Sequence, residues 1–292
     1  MISILITSFK EPRTVGKAIS SMLDQNLRNF EIIVCAPDKE TLDVAKSYSK
    51  KDKRVKVFKD PGKGKPTALN FIIPKCKGEI VVLTDGDVYV KTKILDKMLT
   101  IFKDSKVGAV TARVVSSNDR KRMMGFWSHY LCESFHKIRL YESSKDKDIL
   151  CSGYFYAIRK KLFRKMPSDT LADDAFNSLV IQKEGYKTKY YPKAEVYVKY
   201  PTTLADWIRQ KKRTAGRVYQ LKESFDFETR FALKEELRAA FLGLKTIESL
   251  KEAIWVFPLF GIKLYLWLRT LLDFRLRKRS LKSTWQRVES TK

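Results

Sequence analysis

Two aspartates one residue apart, Asp85 and Asp87, close the apolar run Ile80-Val81-Val82-Leu83-Thr84. In extended backbone, residues i and i+2 face the same side, so two hard carboxylate oxygens can converge on one point. Such a donor set suits Mg2+ or Mn2+, which keep coordination positions for phosphate oxygens. A cation there offsets the negative charge that gathers on a leaving diphosphate. Asp-x-Asp is also an ordinary turn sequence. Its place at the end of a buried strand is what favours the ligand reading.

A second cluster with possible chemistry is Gly62-Lys63-Gly64-Lys65-Pro66-Thr67-Ala68-Leu69-Asn70. Glycines let a backbone approach a ligand closely, and the helix start that follows favours anions. Lys65 is placed to reach a phosphate. The plainer alternative is a basic turn ahead of an ordinary helix. The segment is not a Walker A loop, because it lacks the required glycine spacing ending in Gly-Lys-Ser/Thr.

These clusters need elements to hold them. Apolar runs at 2–7, 31–35, 55–58, 79–84 and 107–115 predict strands, separated by helical spacing at 14–25, 41–50, 65–75 and 93–103. Strands alternating with helices predict an α/β fold with a mostly parallel central sheet flanked by helices. Ligands bind beyond the carboxyl ends of such strands, where Thr7-Ser8-Phe9, Ala36-Pro37-Asp38, the glycine loop and Asp85-Gly86-Asp87 all fall. Further on, 119–144 predicts a long polar helix or helix pair, 151–158 a strand and 171–184 a helix. His129 and His136, seven residues apart, share one helical face and read as packing or surface residues.

Composition narrows the partners. A net charge of +26, from 59 basic against 33 acidic residues, predicts an anionic partner, whether nucleic acid, an acidic lipid surface or a phosphorylated substrate, or else a solvated basic surface. Cys35, Cys76, Cys132 and Cys151 form no CxxC or cysteine–histidine cluster, which argues against zinc and for reduced thiols in a cytoplasmic setting. The N-terminus has neither the basic region nor the long apolar region of a secretory signal.

Taken in order, Thr-Ser-Phe after the first strand, Gly-Lys-Pro-Thr-Ala-Leu-Asn and Leu-Thr-Asp-Gly-Asp-Val resemble the family 2 glycosyltransferases of GT-A fold over roughly 1–217. The resemblance implies an inverting hexosyltransferase that takes a sugar from a UDP- or GDP-linked donor. It implies donor contacts from Thr7, Ser8, Glu11, Asp38, Lys65, Asn70 and Asp85, and a metal, Mg2+ or Mn2+, on Asp85 and Asp87. The family keeps an acidic pair at the start of a helix beyond the sheet. Asp173-Asp174 matches it, with Asp174 as the implied base and Asp173 its neighbour. Like charges side by side raise one pKa, whereas acidic residues at a helix start also arise simply from capping. Ser152-Gly153-Tyr154 matches the small-residue turn that floors the acceptor pocket. Gln210 and Arg213 match a Gln-x-x-Arg-Trp segment that contacts the donor. Thr214 replaces the tryptophan, which puts processive polymer synthesis in doubt. After the second strand, Cys35-Ala36-Pro37-Asp38 stands where many relatives carry Val-Asp-Asp-Gly-Ser, so the nucleoside is left open.

The remaining residues, 218–292, predict a basic and apolar C-terminal helical extension. Within it, 254–272 is close to spanning length, but Lys263 and Arg269 interrupt it. About eleven large apolar residues contribute roughly −5 kcal/mol to insertion and each central charge costs roughly 3, so the sum is near zero. Trp255 and Trp267, with the basic run 275–282, suit a helix lying in the headgroup layer at the cytoplasmic face of a membrane. The alternatives are a helix packed on the catalytic domain and a spanning one. The acceptor expected from these features is a hydroxyl, on a lipid-linked or membrane-proximal glycan, and nucleic acid is not expected. The competing readings are a non-catalytic basic module that binds acidic membranes or nucleic acid, and a sugar-phosphate nucleotidyltransferase. The latter is disfavoured because Thr7–Arg13 has no glycine-rich loop.

Overall fold

The structure is a computed structural model that describes residues 1–225, 238, 241–272 and 288–291. The basic run 275–282 lies outside the described residues. The chain forms two compact units. The first contains Met1–Val114 and Arg139–Val198, and the second Val115–Ile138 and Lys199–Thr291.

The first unit is built on an eight-stranded sheet. Its strands are β1 (Ile2–Thr7), β2 (Phe30–Ala36), β3 (Val55–Lys59), β4 (Ile80–Asp85), β5 (Val88–Val90), β6 (Val107–Ser116), β7 (Phe155–Arg159) and β8 (Lys187–Val198), in the order β3-β2-β1-β4-β7-β6-β8-β5. The expected parallel pairing holds for β3-β2-β1-β4. Beyond β4 the sheet is mixed, because β7 runs antiparallel to both β4 and β6, and β5 runs antiparallel to β8. The turn at Gly86-Asp87 sends the chain directly from β4 into β5, without a helix.

Helices α1 (Val15–Leu23), α2 (Lys39–Lys51), α3 (Lys65–Ile72), α4 (Leu95–Leu99) and α6 (Asp173–Lys183) belong to this unit. The period-2 alternation of a strand puts Leu5, Ile33, Val81 and Leu83 on one face. There they pack with Leu69 and Ile72 of α3 and Ile181 of α6 in one buried core. Ile4, Ile6, Ile32 and Val34, also buried, point to the other face. A sheet buried on both faces explains why these strands read as continuous apolar runs. All four cysteines are buried and reduced, and burial pushes the thiols of Cys35 and Cys151 up to about 12.

The second unit holds most of α5 (Met123–Ser144), together with α7 (Leu204–Phe225) and α8 (Leu250–Leu271). Trp127 and Trp207, both fully buried, meet with ring centroids 5.5 Å apart. Arg120 forms a two-pronged ion pair with Glu252, through Nε to Oε1 at 2.8 Å and Nη2 to Oε2 at 3.0 Å. His129 bonds the carbonyl of Asn118 at 2.8 Å, which is a packing role. Among the described residues, no helix is long and apolar enough to cross a membrane.

Candidate active site

The carboxyl ends of β1 and β4 lie side by side, and their register sets Thr7 opposite Asp85. Thr7 Oγ1 donates to Asp85 Oδ1 at 3.2 Å. The chain then turns through Gly86, whose amide donates to the Thr7 carbonyl at 2.9 Å. A Cβ at Gly86 would collide with Ser8 Oγ and Glu11 Oε2, so only glycine lets this turn lie against the loop after β1. Ser8 Oγ donates to Glu11 Oε2 at 2.6 Å, and both residues are buried.

The glycine loop delivers a cation to the same place. Gly62 and Gly64 take φ of +70° and +94°, a region open to glycine. Gly64 precedes α3, with Pro66 in the first turn. Lys65 thereby leads the helix, and its Nζ donates to Asp85 Oδ1 at 2.7 Å and lies 3.5 Å from Asp173 Oδ2. Burial disfavours the charged ammonium, but Asp173 and Asp85 outweigh it and hold the Lys65 pKa above its ordinary value.

Asp173 and Asp174 occupy the first turn of α6, but neither caps it. The capping position is Ala172, which makes no side-chain bond. Asp173 is buried and its carboxyl is pushed up by that burial. Lys65 opposes the rise, while Asp174 and Asp85 add to it. Tyr156 of β7 donates its hydroxyl to Asp173 Oδ2 at 3.2 Å and accepts from Asn177 Nδ2 at 2.9 Å. Asp174, also buried, accepts the Gly153 amide on Oδ2 at 2.7 Å. A Cβ on Gly153 would lie 3.2 Å from that oxygen, so the small residue permits the approach. Ser152 is anchored by its amide, which donates to Thr111 Oγ1 at 3.0 Å.

Thr7, Lys65, Asp85 and Asp173 are thus joined in one polar cluster, with the Gly153–Asp174 contact beside it. Asp87 stands half-buried in the turn after β4. Two other expected donor contacts are engaged locally. Asn70 uses both ends of its amide on the Met166 backbone, at 2.8 and 3.0 Å. Asp38 caps α2, accepting from the Thr41 amide at 3.0 Å and from the Lys10 amide at 2.7 Å. Burial opposes its charge, but these bonds hold its carboxyl below the ordinary range. Near Asp38, Asp60 accepts the Gly62 amide at 2.5 Å and is raised by burial and by Asp38. Gln210 and Arg213 lie on α7, in the second unit, where Thr214 Oγ1 donates back to the Gln210 carbonyl at 3.1 Å.

Sequence reasoning missed Tyr156 and Asn177. A tyrosine in a buried strand needs a partner for its hydroxyl, and that signal pointed to Tyr156. The pairing with Asp173 depends on β7 running antiparallel to β4.

Among the described residues, no group of three or more His, Cys, Asp or Glu is placed to hold a metal ion alone. Asp85 and Asp87 offer only hard carboxylate oxygens, which fits a cation that completes its shell with oxygens of a bound diphosphate rather than one caged by protein.

An N-acetylglucosaminyltransferase of Rhizobium meliloti is 24% identical over 243 residues, 75% of this chain and 56% of that protein. A probable glycosyltransferase of Bacillus subtilis, YdaM, is 25% identical over 227 residues, 73% and 54% of the two chains. The chain therefore spans just over half the length of these relatives. In structure it is similar to the mannosyltransferase PcManGT of Pyrobaculum calidifontis, solved with GDP-Man and Mn2+. The TM-score is 0.66 at 17% identity, covering 95% of this chain and 88% of that one. This likeness extends to the mixed sheet with its C-terminal helices, a GT-A-like architecture. The sequence model described as "Glycosyltransferase like family 2" matches residues 1–216, and the chain belongs to that family of glycosyltransferases.

Proposed function

We propose that this glycosyltransferase is a metal-dependent, inverting hexosyltransferase that moves a sugar from a nucleoside diphosphate to an acceptor hydroxyl. The observation that supports this most is the meeting of three separate sequence motifs at Lys65, which is paired with Asp85 on one side and Asp173 on the other. Lys65 supplies fixed positive charge for the donor's diphosphate. Thr7, Ser8 and Glu11 shape the loop on which the donor rests, and the resemblance to family 2 implies donor contacts for Gln210 and Arg213. Ser152 and Gly153 floor the acceptor side.

In the proposed reaction Asp174 takes the proton of the acceptor hydroxyl, and the Gly153 amide holds its carboxylate in place. The acceptor oxygen bonds to the sugar's anomeric carbon as the bond to the diphosphate oxygen breaks. The electron pair leaves with the nucleoside diphosphate. Mg2+ or Mn2+, held by Asp85 and Asp87, would offset the charge on that leaving group. The donor is a GDP- or UDP-linked sugar. PcManGT, solved with GDP-Man and Mn2+, makes GDP-mannose the first donor to try. The acceptor is a lipid-linked or membrane-proximal glycan at the cytoplasmic face.

The experiment is a donor panel with Mn2+, reading released nucleoside diphosphate and the anomeric configuration of the product. Full activity in both Asp87→Ala and Asp174→Ala would refute the proposed site.

A further inference from the structure

The chain supplies its own cation to Asp85. Gly64, at a φ of +94°, and Pro66 set the start of α3, so Lys65 leads the helix from a fixed place. Its ammonium sits between carboxylates from two other elements. It lies 2.7 Å from Asp85 Oδ1, at the end of β4, and 3.5 Å from Asp173 Oδ2, in the first turn of α6. Thr7 Oγ1 donates to the same Asp85 oxygen at 3.2 Å. Tyr156 braces Asp173 from behind, its hydroxyl donating to Oδ2 at 3.2 Å. The Lys65 and Asp85 side chains are 30% and 27% exposed, so solvent screens the pair only in part.

We propose that Lys65 competes with the divalent cation for Asp85, and so bars free metal from the site until a diphosphate takes over the ammonium. A dication on either oxygen of Asp85 meets the lysine's charge at close range, and like charges repel strongly where water screens them poorly. Among the described residues, no three His, Cys, Asp or Glu side chains group to hold a metal alone. The chain thus offers no surplus of ligands to outweigh that repulsion. A diphosphate changes the balance. Its oxygens complete the shell of the cation and give Lys65 a partner in place of Asp85. Asp173 keeps the ammonium in the site while Asp85 turns to the metal. Metal and nucleotide then bind as one unit, each raising the affinity for the other by the same factor.

This rests on the proposed metal and diphosphate site, but its test reads metal binding without donor sugar, acceptor or turnover. The full chain is titrated with MnCl2 in the absence of nucleotide, and free Mn2+ is followed by electron paramagnetic resonance. We expect Lys65→Met to bind Mn2+ at least about tenfold more tightly than the unaltered chain. Lys65→Arg keeps the charge and should bind as weakly as the unaltered chain. Lys65→Gln serves if circular dichroism shows that the methionine variant does not fold. Adding Asp85→Asn to Lys65→Met should abolish the gain. In the unaltered chain, GDP or UDP should tighten Mn2+ binding at least about tenfold, after correction for metal held by free nucleotide. The competition is overturned if Lys65→Met binds Mn2+ no more tightly than the unaltered chain, or if the gain survives Asp85→Asn. Absence of Mn2+ binding in every chain, with either nucleotide present, would overturn the metal site itself and the competition with it.

Discussion

Lys65 Nζ lies 2.7 Å from Asp85 Oδ1, and the same ammonium is shared with Asp173 at 3.5 Å. Three carboxylates cluster here if Asp174 is counted, and Lys65 is the cation that makes their proximity tolerable. Removing it leaves the raised Asp173 carboxyl without the charge that opposes its burial. Lys65→Met is expected to lower kcat/KM for the donor about 10²–10³-fold. Lys65→Arg should restore only part of this, because a planar guanidinium does not fit between the two carboxylates as a point charge does.

Asp87 and Asp174 should fail in different ways. Asp87 belongs to the turn after β4 and, in the proposed site, meets the cation. Asp87→Ala should raise the Mn2+ concentration needed for half-maximal rate by about tenfold or more. Asp174 is held by the Gly153 amide and, in the proposed reaction, takes the proton of the acceptor hydroxyl. Asp174→Ala should lower kcat about 10²–10⁴-fold, with nucleotide affinity unchanged by calorimetry. Gly153→Ala, by crowding Asp174 at 3.2 Å, should give a smaller loss of the same kind, up to about 10²-fold.

Much of this arrangement could be read in the sequence, for a physical reason. Parallel strands buried on both faces leave uninterrupted apolar runs, so β1, β2 and β4 and the residues at their ends stand out. Helix starts carry their own signals, and Gly64-Lys65-Pro66 announces α3. What could not be read depends on contacts distant in the chain. The pairing of β7 with β4 is antiparallel, and no local pattern states strand direction. Tyr156 therefore gave no hint of Asp173, seventeen residues on. The resemblance implies that Asp38 contacts the donor. Its cap on α2 and its bond to Lys10 follow from how the loop after β1 folds back. Lys10 adopts a φ of 54° there, unusual for a lysine. The acidic pair at α6 shows the opposite case. Capping is the simpler explanation, yet the N-cap position falls on Ala172, whose side chain makes no cap bond.

Asp38 offers a stability test with a defined sign. Its two oxygens accept the Thr41 and Lys10 amides, and its pKa is lowered from 3.8. A carboxylate whose folded pKa is depressed stabilises the fold above its unfolded value and loses that contribution as pH falls through the folded one. Asp38→Ala should cost about 1 kcal/mol at neutral pH, as for other N-cap removals. The difference from the unaltered chain should shrink as pH falls below 3.8. Urea unfolding followed at several pH values measures both. A difference independent of pH would mean that the cap bond does not depend on the carboxylate's charge.

Tyr156 tests whether the buried network behind Asp173 acts as a unit. Its hydroxyl donates to Asp173 and accepts from Asn177, and both Tyr156 and Asn177 are almost wholly buried. Tyr156→Phe strands the Asn177 amide in the core, and an unsatisfied buried donor costs about 1–3 kcal/mol. Asn177→Leu alone removes the donor but leaves the Tyr156–Asp173 bond. If the tyrosine and asparagine are coupled through this bond, Tyr156→Phe/Asn177→Leu should be less destabilised than the sum of the two single variants, by about 0.5 kcal/mol or more. Additive losses in urea unfolding would instead mean that Asn177 finds other partners, and that Tyr156 braces Asp173 without it.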